Sequence, residues 1–161
     1  MAGVGYALLY PAEEGAVRVL DYCGRTPYGA TIEGFDTDEQ QTAGSRSCLV
    51  PGACGGWLAL LERYGRMTAG DVFTPAIELA ENGFAITVKN ATFMGDAESR
   101  FHPSGAKVIF AGGSAPRPGD VLVQKELAGS FRRVAEGGSE VFYSGDLAGE
   151  ISSFVQEEGG F

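Results

Sequence analysis

Residues 3–22 read GVGYALLYPAEEGAVRVLDY, two β-rich apolar runs on either side of a polar segment that holds Pro11 and Gly15. Turn residues between short aliphatic and aromatic runs predict a β-hairpin. Both runs are apolar on both faces for most of their length, which is the pattern of strands covered on two sides rather than of a half-wet sheet. Two strands cannot cover each other in that way, and a hairpin by itself is marginal in water. The fold therefore turns on what the rest of the sequence lays against this hairpin. Further strand candidates are weak: KVIFA at 107–111 and DVLVQ at 120–124.

Downstream, helices dominate. YGATIEGFDTDEQQTAGSRS, residues 28–47, is polar and aperiodic and reads as a long surface loop. In GGWLALLERYG, Trp57, Leu60, Leu61 and Tyr64 recur at the spacing of one buried helix face, and Gly65 is placed to stop the helix. Thr68 and Asp71 form a start signal for a second helix with an apolar stripe of Val72, Phe73, Ala76, Ile77 and Ala80 and a stop at Gly83. Pro75 either kinks that helix or opens another one capped by Thr74. A polar connection from His102 to Gly119 leads to a helix carrying Leu127, Phe131 and Val134 on one face, closed by Gly137-Gly138. A last helix places Leu147, Ile151, Phe154 and Val155 on a stripe, with Ser144 as cap and Gly159-Gly160 as its end.

The composition excludes several functions. Twelve basic against twenty-one acidic residues give a formal charge of −9, and no basic run interleaves with aromatics, so a nucleic-acid backbone would be repelled. No apolar run approaches the roughly 18–20 residues of a membrane span, and the opening lacks the basic and apolar blocks of a signal peptide. The start at Met1 does not have to be the natural one, so the compartment stays unassigned. At 161 residues and 44% hydrophobic, the chain suits one domain or a piece of a larger protein. Cys23, Cys48 and Cys54 are odd in number and match no zinc spacing. His102 is the single histidine, flanked by Phe101 and Pro103, and an ordinary surface role is the simpler reading. GACGGW, despite its glycines, has no lysine where a phosphate would need one.

Taken in order, four blocks resemble the gamma-glutamyltransferase (gamma-glutamyltranspeptidase) family: GVGYALLYP; VLDYCGRTP; LVPGACGGWLALLERYGRMTAGDVFTPAIELAENGFAIT; and VLVQKELAGSFRRVAEGGSEVFYSGDLAGEI with the terminal EEGG. The resemblance spans nearly the whole chain, residues 1–161. It implies an α+β fold, part of the αββα sandwich of N-terminal-nucleophile (Ntn) hydrolases, helix-rich with an N-terminal β-hairpin. It also implies a precursor that cleaves itself into two subunits, whose new N-terminal threonine attacks a gamma-glutamyl amide with its own α-amine as base. This sequence is similar to the middle of the large subunit, so the resemblance assigns no catalytic residue within it and makes the small subunit of the same precursor an expected partner. No metal cluster is visible in the sequence, and the chemistry the resemblance implies needs no organic cofactor, so none is expected.

The site residue the resemblance suggests is Arg25. Many family members read LDFRETAP at the corner where this sequence reads LDYCGRTP, and their arginine binds the α-carboxylate of the gamma-glutamyl group. A guanidinium fork suits a carboxylate. The ungapped position here is Cys23, with Arg25 two residues later, as in the SGRAP version of other members. Alternation along a strand would return Arg25 to the same face if the strand ran that far. Three functional readings follow: a gamma-glutamyltransferase or glutathione hydrolase-like enzyme fragment, a related acylase of the cephalosporin acylase type, and a non-catalytic binding module on the same scaffold. A thiol enzyme using Cys23 is a more remote fourth.

Overall fold

The computed structural model describes residues 3–110 and 113–161. These fall into two compact units. One gathers the chain up to Ala69 with Gly137–Phe161, and the other is Gly70–Glu136.

In the first unit the hairpin forms as the sequence predicts. Strands β1 (Tyr6–Leu9) and β2 (Arg18–Asp21) are antiparallel, with Tyr6 opposite Asp21 and Leu8 opposite Val19. Glu14 N and Gly15 N both donate to Pro11 O, at 3.0 and 3.1 Å, and Gly15 takes φ 60°, the left-handed conformation that its missing Cβ makes cheap. Directly opposite residues share a face. Tyr6, Leu8 and Val19 therefore line one side, where they are 61%, 73% and 64% exposed, while Ala7, Leu9 and Leu20 on the other side are half-buried. The two-sided cover that the apolar pattern calls for is absent from the Tyr6 face among the described residues.

Helix α1 (Ala53–Tyr64) ends where Gly65 N donates to Leu61 O. Its most buried residues are Ala53, Cys54 and Gly56, rather than the expected Trp57, which stays 46% exposed. The reason is local: a Cβ on Gly56 would overlap the Tyr22 ring, so the helix approaches the strand end along its small residues. The 28–47 segment is a loop, but one built from three 3-10 turns, Ile32–Gly34, Asp38–Gln41 and Ser45–Ser47. Arg46 anchors it by donating to Gly34 O (2.6 Å) and Gly159 O (3.1 Å) and by lying over the Phe161 ring, which packs edge-on against Phe35. Ser45 Oγ adds a bond to Glu158 O. Helix α6 (Asp146–Glu157) follows, capped at Gly145 and not at Ser144, whose hydroxyl instead donates back to Glu140 O. Leu147 is buried, while Ile151 and Phe154 of the predicted stripe remain exposed.

The second unit has a core of its own. Helix α2 (Ala69–Asn82) runs through Pro75 as one helix, and Thr74 Oγ1 donates to Gly70 O within it rather than capping a second. Gly83, at φ 84°, closes it by donating to Leu79 O. Strand β3 (Phe84–Ala85) pairs antiparallel with β4 (Val121–Leu122), Phe84 opposite Leu122. The DVLVQ candidate is thus a strand, shorter than its pattern. Between them lie α3 (Val88–Ala97), started by Thr87 accepting from Asn90 N, and α4 (Pro103–Ile109). The latter overturns the KVIFA strand: Lys107–Ile109 are helical because His102 caps and Pro103 opens a short helix ahead of them, and position 111 lies outside the described residues. Helix α5 (Lys125–Tyr143) is broken at Gly138 (φ 68°, ψ −157°), where the Gly-Gly stop was predicted. Phe73, Ala80, Ile86, Phe110, Leu122, Ala128 and Val134 are buried, with Phe73 against Phe131 and Phe101 against Phe110.

Candidate functional site

Strand β2 ends at Asp21, so Cys23 and Arg25 lie beyond it and strand alternation does not relate their side chains. The corner is shaped instead by a second segment, Leu49–Gly52, that runs beside it. Val50 N donates to Arg25 O at 2.9 Å. The two backbones approach so closely that a Cβ on Gly24 would overlap Val50 O, and one on Gly52 would overlap Tyr22 O. Glycine is needed at both positions for contact rather than for dihedral freedom. The glycine-rich GACGG run thus serves packing, in agreement with its lack of a phosphate-loop lysine.

Helix α1 begins directly after this segment with Gly52 at its cap position, which has no side chain to offer. Its first N–H groups find oxygens elsewhere: Ala53 N bonds Gly3 O, and Gly55 N bonds the Tyr143 hydroxyl at 2.9 Å. That hydroxyl in turn donates to Pro51 O at 2.7 Å. Burial pushes the Tyr143 phenol above its usual pKa, against the lowering effect of the Gly55 N–H.

Arg25 is exposed, and its guanidinium has no hydrogen bond or ion pair to any described residue. Nearby, Pro27, Tyr28, Leu49, Val50, Phe142 and Ile151 help line an open, largely apolar groove of about 740 Å³, whose walls do not include Arg25 itself. Cys23 N is held by Asp21 Oδ1 at 2.8 Å. Cys23 Sγ donates to Gly5 O at 3.9 Å, and the neighbouring Cys23 thiol and Asp21 carboxylate push the Tyr6 phenol above its usual pKa. Cys48 is exposed and Cys54 buried, with burial pushing the Cys54 thiol up. His102 hydrogen-bonds Ser104 at the start of α4, a capping role in the second unit. Among the described residues no cluster of three or more His, Cys, Asp or Glu is placed to hold a metal, and no helix is long and apolar enough to cross a membrane.

This arrangement belongs to a known class. The structure superposes on gamma-glutamyltranspeptidase from Helicobacter pylori with a TM-score of 0.92 at 31% identity, covering 99% of this chain and 48% of that one. It superposes on cephalosporin acylase from Bacillus halodurans with a TM-score of 0.85 at 28% identity, covering 97% of this chain and 31% of that one. The fold is α+β, of the Ntn-hydrolase architecture, with the small antiparallel hairpin at its N-terminal end. Residues 2–161 match the gamma-glutamyltranspeptidase family, and the chain belongs to it. It is also similar to the glutathione hydrolase-like YwrD proenzyme of Bacillus subtilis, 34% identical over 170 residues that cover all of this chain and 31% of that protein. The chain spans about a third of the length of the curated relatives it matches.

The sequence reading placed Arg25 on this corner but missed the Leu49–Gly52 segment and Tyr143. VPG and VFYSG were read as blocks of resemblance, and nothing local in either shows that they meet across 92 residues of chain.

Proposed function

We propose that this chain is part of the large subunit of a gamma-glutamyltransferase or glutathione hydrolase-like precursor, and that Arg25 grips the α-carboxylate of a gamma-glutamyl donor. The observation that carries the first half is the hairpin face of Tyr6, Leu8 and Val19. A strand pair apolar on both sides and open on one belongs to an inner layer whose neighbours come from further sequence. The family match across the chain, and the relatives' description as proenzymes, support the same reading.

In the complete protein the attacking group is the N-terminal threonine of the small subunit. Its α-amine takes the hydroxyl proton as the oxygen attacks the amide carbonyl, the amine leaves, and water or an acceptor amine then takes the acyl group. Arg25 contributes positioning: an exposed guanidinium without an internal partner among the described residues is available for bidentate carboxylate binding. In the complete enzyme, Arg25→Ala should raise KM for a gamma-glutamyl anilide by about tenfold or more and leave KM for its α-carboxamide within about twofold. Equal effects on the two donors remove Arg25 from the site.

A second reading is favoured by the groove beside this corner. Its apolar walls suit a bulkier acyl group, as in an acylase. Preference for an acyl donor without a free α-carboxylate would select it. Cooperative melting of this chain by itself as a monodisperse species, with no dye-binding apolar surface, would favour the binding module over both enzyme readings.

A further inference from the structure

We infer that Tyr143 is a positioning residue for Arg25, acting through the Leu49–Gly52 segment; the inference rests on the reading of Arg25 as the carboxylate-binding group. Pro51 has no N–H to offer. Gly52 N bonds Gly3 O at 3.0 Å, and the segment reaches the corner through Val50 N, which bonds Arg25 O at 2.9 Å. On its other side, Pro51 O accepts from the Tyr143 hydroxyl at 2.7 Å. The same hydroxyl accepts from Gly55 N and so takes the place of the side-chain cap that Gly52 cannot provide. One phenol oxygen therefore fixes both the carbonyl of the segment and the first turn of the helix that follows it.

The link from segment to corner is stiff because it is backbone against backbone. With Gly24 under Val50 O and Gly52 against Tyr22 O, the closest contacts between the two segments are backbone, which leaves little to absorb a shift. A displacement of Pro51 is passed to residues 22–25, and with them to the Cα that carries the guanidinium. Tyr143 does not touch the proposed carboxylate site; its effect on binding runs through the position of Arg25.

The test uses the complete, matured enzyme with Tyr143→Phe, which deletes one oxygen and keeps the ring packed edge-on against Phe142. Two readouts are taken. The first is KM and kcat for a gamma-glutamyl anilide and for its α-carboxamide, in the wild-type, Tyr143→Phe, Arg25→Ala and double-variant enzymes. The second is amide hydrogen exchange in peptides covering 49–56, with the β1–β2 hairpin as internal reference. The expected result is a rise of about three- to tenfold in KM for the free-carboxylate donor with kcat unchanged, no comparable rise for the carboxamide, and no further rise in the Arg25→Ala background. Exchange at 49–56 accelerates while the hairpin is unaffected. Unchanged exchange at 49–56 overturns the assignment, as does an equal loss for both donors or a variant that does not accumulate as folded enzyme, since each marks a general structural role or none. If Arg25→Ala itself treats both donors alike, the carboxylate reading has failed and the inference falls with it. The exchange readout identifies that case, because the segment still loosens in Tyr143→Phe.

Discussion

Gly70–Glu136 and the unit built around the hairpin divide the apolar side chains of this chain unequally. The former buries Phe73, Ile86, Phe110, Leu122 and Val134 with their neighbours in a core of its own. The hairpin unit buries Ala53, Cys54, Phe142 and Leu147, and leaves Tyr6, Leu8, Tyr10, Val17 and Val19 in solvent. The difference is not one of composition, since both stretches are rich in aliphatic and aromatic residues. It lies in how far along the chain each residue's partners are found. Helices α2 and α5 bury Phe73 against Phe131 within one unit, although Val72 and Leu79 of α2 stay exposed, whereas a β-layer needs a second layer to cover it. The units thus differ in what they are complete without.

The largest expected effect probes the core of the Gly70–Glu136 unit. Phe73→Ala should destabilise the Gly70–Glu136 unit by about 3–5 kcal/mol, read by denaturant unfolding, with exchange protection lost there first and the hairpin amides little changed. Simultaneous loss in both regions would show that the two units are not separable in stability. Next, Gly56→Ala places a methyl into the Tyr22 ring and should cost about 1–3 kcal/mol, with its exchange signature at residues 22–25 and 49–56; a neutral result would mean that α1 moves freely on the strand end.

Alkaline pH gives a third test. Burial raises the Cys54 thiol's folded pKa above its unfolded value, so the unfolded chain releases that proton first. The stabilising contribution is complete below the unfolded pKa and is lost as pH rises through the folded one. Melting temperature should therefore fall from neutral to alkaline pH by more in the wild-type than in Cys54→Ala. At neutral pH, alkylation should label Cys23 and Cys48 well before Cys54. The smallest effect is expected on the open face. Leu8→Ser in this chain should change stability by no more than about 0.5 kcal/mol, because the side chain is 73% exposed. A cost several times larger would mean that the face is already covered, for example by a second copy.

Local patterns carried much of this architecture. The hairpin, both helices flanking Gly65, the Gly83 stop and the break at Gly137-Gly138 are all written in periodicity and turn residues. What escaped was set by neighbours distant in sequence or by weak signals. Strand β3 has only two residues and exists because β4 pairs with it across more than thirty positions. Helix α3 has little apolar periodicity, and only Thr87 before Asn90 marks its start. KVIFA is β-like in composition, but the His102 cap and Pro103 decide its conformation. At the corner after β2, Arg25 was visible as a cation following a strand. The segment that holds it was not, because glycines in close backbone contact resemble glycines in a flexible loop until both partners are seen.

Arg46 has an effect out of proportion to one side chain. Its guanidinium joins the carbonyl of Gly34 to that of Gly159, a separation of 113 residues from its own position to the latter, and lies over the ring of Phe161. It acts as a clasp, closing without a covalent bond a circuit that begins in the most polar part of the sequence and returns at its far end. Movement of residues 159–161 is thereby tied to loosening of the 34–36 turn, so two places far apart in the sequence open and close together.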